Sequence, residues 1–218
     1  LSHPLVDSSL EPAAVEGING EMIRLISGER GTPYGVMVGF EDERSAVETQ
    51  WDRLKSWAAE EGLRIRLVLD GRDAAAEGWR ALGQSIPCAL DRPEGIAVVV
   101  KGITLPDRVT GMLKAMDEVA AKGDLEILSH GGTGTGIIRA VFRAPKEKLE
   151  ALIPGLKQLR ERFEESGGYL VMEQAPPEVT ERISVWGRPP GGLFLMRKLK
   201  KCLDPNGRLN PGRFVGGI

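Results

Sequence analysis

Apolar residues along this chain fall into short runs and helical stripes that alternate, and their spacing predicts most of the elements. Leu1 to Gly17 is polar, with prolines at 4 and 12, and reads as a lead-in segment laid over a surface. Met22-Ile23-Arg24-Leu25-Ile26 and Tyr34 to Phe40 are short apolar runs separated by Gly28-Glu29-Arg30-Gly31, which predicts a strand pair. Val47, Trp51, Leu54 and Ala58 then recur on a helical period, a stripe that Asp42 can cap and Gly62 can end. Leu63 to Leu69 switches to alternation, with Ile65, Leu67 and Leu69 on one side and Arg64, Arg66 and Val68 on the other, the pattern of a half-buried strand. A looser helix follows over about 74–84, and Ile96 to Val100 is a continuous apolar strand candidate.

The second half repeats the scheme. Thr104, Pro106 and Asp107 predict a capped helix whose stripe is Val109, Met112, Leu113, Met116 and Ala120, and Leu125 to Leu128 is the strand after it. Gly136 to Arg143 alternates Ile138, Ala140 and Phe142 against Ile137, Arg139, Val141 and Arg143. Pro145 opens a helix striped by Leu149, Leu152, Ile153, Leu156, Leu159 and Phe163, with a kink or break expected at Pro154. Gly167-Gly168 ends it, and Tyr169 to Glu173 is the last strand. Strand, helix, strand thus occurs over about 36–69 and again over about 96–128. This predicts an α+β fold, a duplicated ferredoxin-like antiparallel sheet with helices on one face.

Composition narrows the function classes. A hydrophobic share of 41% against 28% charged residues fits a globular protein long enough at 218 residues for a real core. No apolar run approaches the roughly 18 residues of a membrane span, so the expectation is a cytoplasmic chain with no membrane span. A net charge of −2 and aromatics at 5% argue against nucleic acid as partner, since neither a basic field nor stacking platforms are present. Cys88 and Cys202 are too few for a disulfide framework and read as reduced thiols. The chain starts at Leu1 without a basic and apolar leader, which reads as the start of a fragment or of a processed chain.

Candidate chemistry begins with Ser129-His130-Gly131-Gly132-Thr133-Gly134-Thr135-Gly136. A glycine-rich loop lets backbone approach a phosphate, but this one leads into a strand rather than a helix and carries no Walker lysine. It therefore reads as a hairpin. A zinc site needs about three or four ligands, whereas the chain's only histidines are His3 and His130, so a histidine metal site is rejected. Arg139 and Arg143 project opposite to Ile138, Ala140 and Phe142, as do Arg64 and Arg66 on their strand; such guanidiniums suit a carboxylate, or else a salt-bridged solvent face. Nothing supports nucleophilic catalysis: there is neither a Gly-x-Ser-x-Gly elbow nor a Cys-His pair.

The tail is the most specific stretch. A basic helix end, Lys198-Leu199-Lys200-Lys201-Cys202, runs into Leu203-Asp204-Pro205-Asn206-Gly207 and then Leu209-Asn210-Pro211-Gly212-Arg213-Phe214, two turns in close succession. With Gly167-Gly168-Tyr169-Leu170-Val171-Met172-Glu173, Ala175-Pro176 and Trp186-Gly187 upstream, it resembles the end of FAD-linked oxidases of the vanillyl-alcohol-oxidase type, most closely the smaller FAD-linked subunits of bacterial glycolate oxidases.

The resemblance implies a division of labour. One domain holds FAD, a second closes over the flavin ring, and the tail crosses back to the first; residues 1–190 then form the cap and substrate domain and 191–218 the returning helix and tail. FAD is bound mainly by a domain upstream that this chain lacks. Gly132 and Gly134 give room for flavin and substrate, Asn210 lies at the flavin edge, and Arg213, with Lys201, helps to dock the tail. His130 is either an ordinary loop histidine or a proton acceptor or hydrogen-bond donor at the flavin, and Arg139 is the arginine best placed for the carboxylate of a small 2-hydroxyacid. Metal-dependent relatives carry a second histidine where this chain has Ile137 and a later Glu-His pair, so their metal chemistry does not transfer. Two functions follow: the cap of a dehydrogenase or oxidase for a glycolate- or D-lactate-type substrate, inactive as a fragment, or a non-catalytic module joining a catalytic flavin subunit to an iron–sulfur subunit, which would associate with the membrane only through that complex. A ferredoxin-like binding domain with no redox role is the third.

Overall fold

The computed structural model describes residues 10–90 and 95–218. Six strands, β1 (Ala14–Asn19), β2 (Tyr34–Gly39), β3 (Ile96–Ile103), β4 (Glu126–Gly132), β5 (Ile137–Ala144) and β6 (Tyr169–Gln174), form one sheet in the order β2-β1-β4-β5-β3-β6. Every neighbouring pair is antiparallel. The helices are α1 (Gly20–Ser27), α2 (Arg44–Glu60), α3 (Arg72–Leu90), α4 (Val109–Gly123), α5 (Leu149–Glu165), the single turn α6 (Pro177–Thr180) and α7 (Leu193–Leu203). The fold is α+β, as the pattern predicts. From β3 onward the chain runs β-α-β-β-α-β with β3 between β5 and β6, the split βαβ arrangement.

The main core lies on one face. Val109, Leu113 and Met116 of α4 and Leu152, Leu156, Leu159 and Phe163 of α5 pack on Val98, Val100, Ile138, Ala140, Phe142 and Met172. Gly102 makes the α5 approach close, since a Cβ there would collide with the Phe163 ring. On the opposite face α3 sets Ile86 and Ala89 against Val99 and Val141, and Leu82 against Ile18, Met22 and Ile23. The end of that face near Ile103, Ile137 and Tyr169 stays exposed.

Several local expectations give way. The run at 22–26 is a helix, because Asn19 Oδ1 accepts from Met22 N at 3.1 Å as an N-cap and Gly28 closes the last turn at φ 76°. A short apolar run carries no period of its own, and the caps decide it. The preceding strand, β1, begins within the stretch that reads as a polar lead-in; residues 1–9 of that stretch lie outside the described residues. Residues 63–69 belong to no strand: Ile65, Leu67, Val68 and Leu69 are exposed, and Arg66 pairs with Glu29 at 3.0 Å. Alternation specifies a face, but pairing needs a matching edge. The helix before it does end at Gly62, at φ 66°, although Asp42 caps no helical amide beyond Glu43 N.

Pro154 does not break α5, which runs from Leu149 to Glu165; the carbonyl deprived of its donor is that of exposed Glu150, near the helix start. The Thr104 cap is also absent. A 3₁₀ turn, Pro106–Arg108, leads into α4, and the Thr104 hydroxyl is buried with no hydrogen-bond partner among the described residues.

One buried amide ties the two halves together. Asn19 Nδ2 donates to Asp117 Oδ1 at 3.0 Å and to the Ile127 carbonyl at 3.1 Å, while Oδ1 accepts from Met22 N and, at 3.3 Å, from Ser129 N. Burial, and then the neighbouring Asp117 carboxylate, push the Tyr34 phenol above its ordinary value. Asn19→Ala strands buried groups, about 1–3 kcal/mol for even one of them, and removes a cap worth about 1 kcal/mol, so a loss of at least about 2–4 kcal/mol is expected in urea unfolding. A loss below about 1 kcal/mol would show that the amide is dispensable.

Candidate functional site

The alternation of β3, β4 and β5 decides what the uncovered end of the sheet presents. Ile138, Ala140 and Phe142 enter the core, so Ile137 and Arg139 point the other way. In β3, Val98 and Val100 enter and Lys101 follows on the free face. In β4, Gly131 lies against Val109 of α4, which turns His130 and Gly132 outward. Register then aligns them: His130 stands opposite Arg139, Arg139 opposite Lys101, and Lys101 opposite Val171. A parallel apolar row, Ile137, Ile103 and Tyr169, sits at the sheet end, 40%, 46% and 46% exposed.

Carboxylates flank the polar row on both sides. His130 Nδ1 lies 3.0 Å from Glu16 Oε2 of β1, both side chains mostly buried at 17% and 23% exposure. Arg139 meets Glu173 of β6 through Nε and Nη2, each at 3.2 Å. Its remaining terminal nitrogen has no partner among the described residues, and neither has the Lys101 ammonium. Arg143 faces Glu126 at 3.1 Å, which makes it a solvent-side pair rather than part of the row.

Of the residues expected from sequence, His130 and Arg139 come together here. Gly132 adjoins them, but it is enclosed: a Cβ would collide with Thr135 Oγ1 and lie 3.1 Å from Glu16 Oε1. Gly134 is open at the hairpin tip, with nothing within 4 Å of a Cβ placed there. The loop is the hairpin read from the sequence, closed by Gly136 N donating to Gly132 O at 2.9 Å. Lys101, Glu16 and Glu173 escaped the sequence reading. A signal existed for Lys101, the one charge ending the apolar run of β3, whereas the pairing of Glu16 and Glu173 depends on register.

Asn210 and Arg213 lie elsewhere. Both tail turns form, with Gly207 N donating to Asp204 O at 3.0 Å and Arg213 N to Asn210 O at 3.3 Å. Asn210 itself takes a left-handed φ of 46°. The two residues border a shallow concavity with Met196, Leu199, Leu209 and Phe214, and no member of the sheet row lines it. Trp186 Nε1 donates to the Arg213 carbonyl at 3.1 Å and stacks edge-on against Phe214 at 5.3 Å. Phe194, Leu195, Leu199 and Leu203 of α7 are exposed, and no residue of that helix is buried. Lys201 makes no described contact, while Lys200 pairs with Asp204 at 2.7 Å.

Among the described residues no group of three or more His, Cys, Asp or Glu side chains gathers as a metal would require. None of their helices is long and apolar enough to cross a membrane.

A family model described as FAD linked oxidases, C-terminal domain, matches residues 2–214. Glycolate oxidase subunit GlcD of Bacillus subtilis (strain 168) is 26% identical over 119 residues, 53% of this chain and 25% of that protein, so the match spans about a quarter of the relative's length. Among solved structures, 4-ethylphenol oxidase from Gulosibacter chungangensis in its isoeugenol complex is similar over 91% of this chain and 46% of that one, at 15% identity and a TM-score of 0.49. The apolar row beside unpaired cationic donors has the residue types that one face of a flavin ring would meet. The glycine loop opens no helix, so it offers no helix N-terminus to the phosphate end of FAD.

The tail gives a pH test. A hydrogen bond from Lys200, and then the amides of Leu209 and Arg208, lower the Asp204 carboxyl from 3.8 to about 2. A depressed folded-state pKa contributes stability above the ordinary value and loses it as pH falls through the folded one. Amide exchange at Arg208 and Leu209 should therefore be protected above about pH 4 and lose protection towards pH 2, while Asp204→Asn loses it throughout. Protection unchanged across that window would show that the carboxylate does not hold the turn.

Proposed function

The chain belongs to the C-terminal domain family of FAD-linked oxidases, and on that premise we propose that it is the part of an FAD-dependent oxidoreductase that closes over flavin and substrate, with a small 2-hydroxyacid of the glycolate or D-lactate type as substrate. The observation that carries this reading is the register of His130, Arg139 and Lys101 on the uncovered end of the sheet. The glycolate oxidase relative supports the substrate class. FAD, when bound, supplies the acceptor for the hydride that a 2-hydroxyacid gives up.

The chain's own residues supply orientation and proton handling. Arg139 spends one edge on Glu173, which fixes the guanidinium plane, and offers its free nitrogen together with Lys101 to the substrate carboxylate. Two cations on neighbouring strands hold a carboxylate at a fixed angle to the sheet, a positioning role that orients the α-carbon. His130 takes the hydroxyl proton. Ile103, Ile137 and Tyr169 exclude water from the closed site. Residues 1–190 act as this cap, and 191–218 return to an FAD-binding domain or subunit, with Asn210 and Arg213 at that junction and Gly134 at the hairpin tip leaving space for the ring.

A second reading, an assembly module between a flavin subunit and an iron–sulfur subunit, is favoured by one observation: the apolar side chains of α7 are exposed together. Kinetics separates the two. In the flavoprotein containing this chain, Arg139→Ala should raise KM for glycolate or D-lactate about 10–100-fold, the worth of one or two charge-assisted hydrogen bonds. Unchanged KM and kcat would remove the carboxylate role and leave the assembly reading. The isolated chain, mixed with FAD and passed through gel filtration, should emerge colourless; a retained flavin band would assign FAD binding to this chain.

A further inference from the structure

We infer that Glu16 is a positioning residue that fixes the tautomer of His130, holding the ring proton on Nδ1 and leaving Nε2 as the acceptor. The two residues come from different strands and are not directly opposed. Ile18 pairs with His130 and Glu16 with Gly132, so the carboxylate reaches His130 diagonally, at 3.0 Å from Oε2 to Nδ1. An ionised carboxylate can only accept, so Nδ1 must donate. A neutral imidazole has one N–H, and Nε2 therefore keeps its lone pair. Nε2 makes no hydrogen bond to the described residues and is not among their sealed polar atoms, so it remains open to solvent or substrate.

Gly132 is an independent part of this device. The second carboxylate oxygen, Oε1, lies where a Cβ at position 132 would come within 3.1 Å of it, and the same Cβ would collide with Thr135 Oγ1. A side chain there would press on both residues, so glycine keeps the carboxylate in reach of the ring. On this account Gly132 serves Glu16 directly and any ligand only through it. The charged groups facing His130 in the sheet are Glu16 from β1, Arg139 from β5 and, one strand further, Lys101 from β3. Of these, Glu16 alone can accept a proton bond from the ring.

The geometry stands by itself, while its consequence for catalysis rests on the reading of His130 as the proton acceptor. The test is spectroscopic. In the full chain carrying His3→Gln and labelled with ¹⁵N-histidine, only His130 reports, and long-range ¹H–¹⁵N correlations at a pH where the ring is neutral show which nitrogen bears the proton. The expected result is a protonated Nδ1 and a bare Nε2. Glu16→Ala should move the proton to Nε2, the ordinary preference of an imidazole, and Gly132→Ala should shift the population in the same direction.

A wild-type ring protonated at Nε2 would overturn the inference, and so would a tautomer unaltered by Glu16→Ala. Should that variant fail to fold, the wild-type spectrum still decides. An Nδ1–H ring governed by Glu16, in a flavoprotein that oxidises no 2-hydroxyacid, would uphold the inference and overturn the proposed function instead.

Discussion

The register of β1 on β4 is the constraint on which the rest depends, and one buried side chain sets it. Asn19 ends β1, caps α1, and bonds the backbone of β4 at both Ile127 and Ser129 while reaching Asp117 of α4. All four of its hydrogen-bonding positions are filled, so no shifted pairing satisfies it equally well. Side chains alternate along a strand, so a slip of one residue would turn Glu16 into the core and present Val15 or Gly17 to His130. An amide on the core side of the sheet thus fixes a carboxylate on the free side.

The sheet is covered unequally. α4 and α5 close one face, whereas α3 covers only the part of the other that holds Val99, Val141 and Ile18. The remaining end exposes Ile103, Ile137 and Tyr169 beside a row of charges. Large apolar side chains gathered on a sheet face mark a surface that meets a ligand or another protein part. Family membership and this surface together favour a flat ligand held between two protein parts. The hydrogen-bonded pairs at the ends of the row fit that picture. Glu16 and Glu173 keep His130 and Arg139 oriented before anything binds, as a preorganised site requires.

Much of this was legible in the residues, and the misses have physical causes. The alternation of Ile138, Ala140 and Phe142 against Arg139 placed the arginine on the free face, and the stripes of α4 and α5 located the core. The tail turns followed from Pro and Gly alone. What stayed hidden were contacts that depend on which strand lies beside which. Glu16 sits 114 positions from His130, and only the β1–β4 pairing joins them. Met22 to Ile26 looked like a strand because a five-residue apolar run fits either period, and the cap at Asn19 lay outside the run. Residues 63–69 show the reverse error, a clean alternation with no partner edge. Gly132 was legible as a special position but not for its reason, since its crowding comes from Glu16 and Thr135.

On the proposed reading, the uncovered end of the sheet is the face that meets the flavin. Hydroxyl-radical footprinting tests it directly, by comparing the isolated chain with the flavoprotein that contains it. Tyr169, Ile103 and Ile137, open in the isolated chain, should become protected together in the holo flavoprotein. Labelling of these three that is the same in both states would contradict it, and would move the flavin contact to some other surface of the domain.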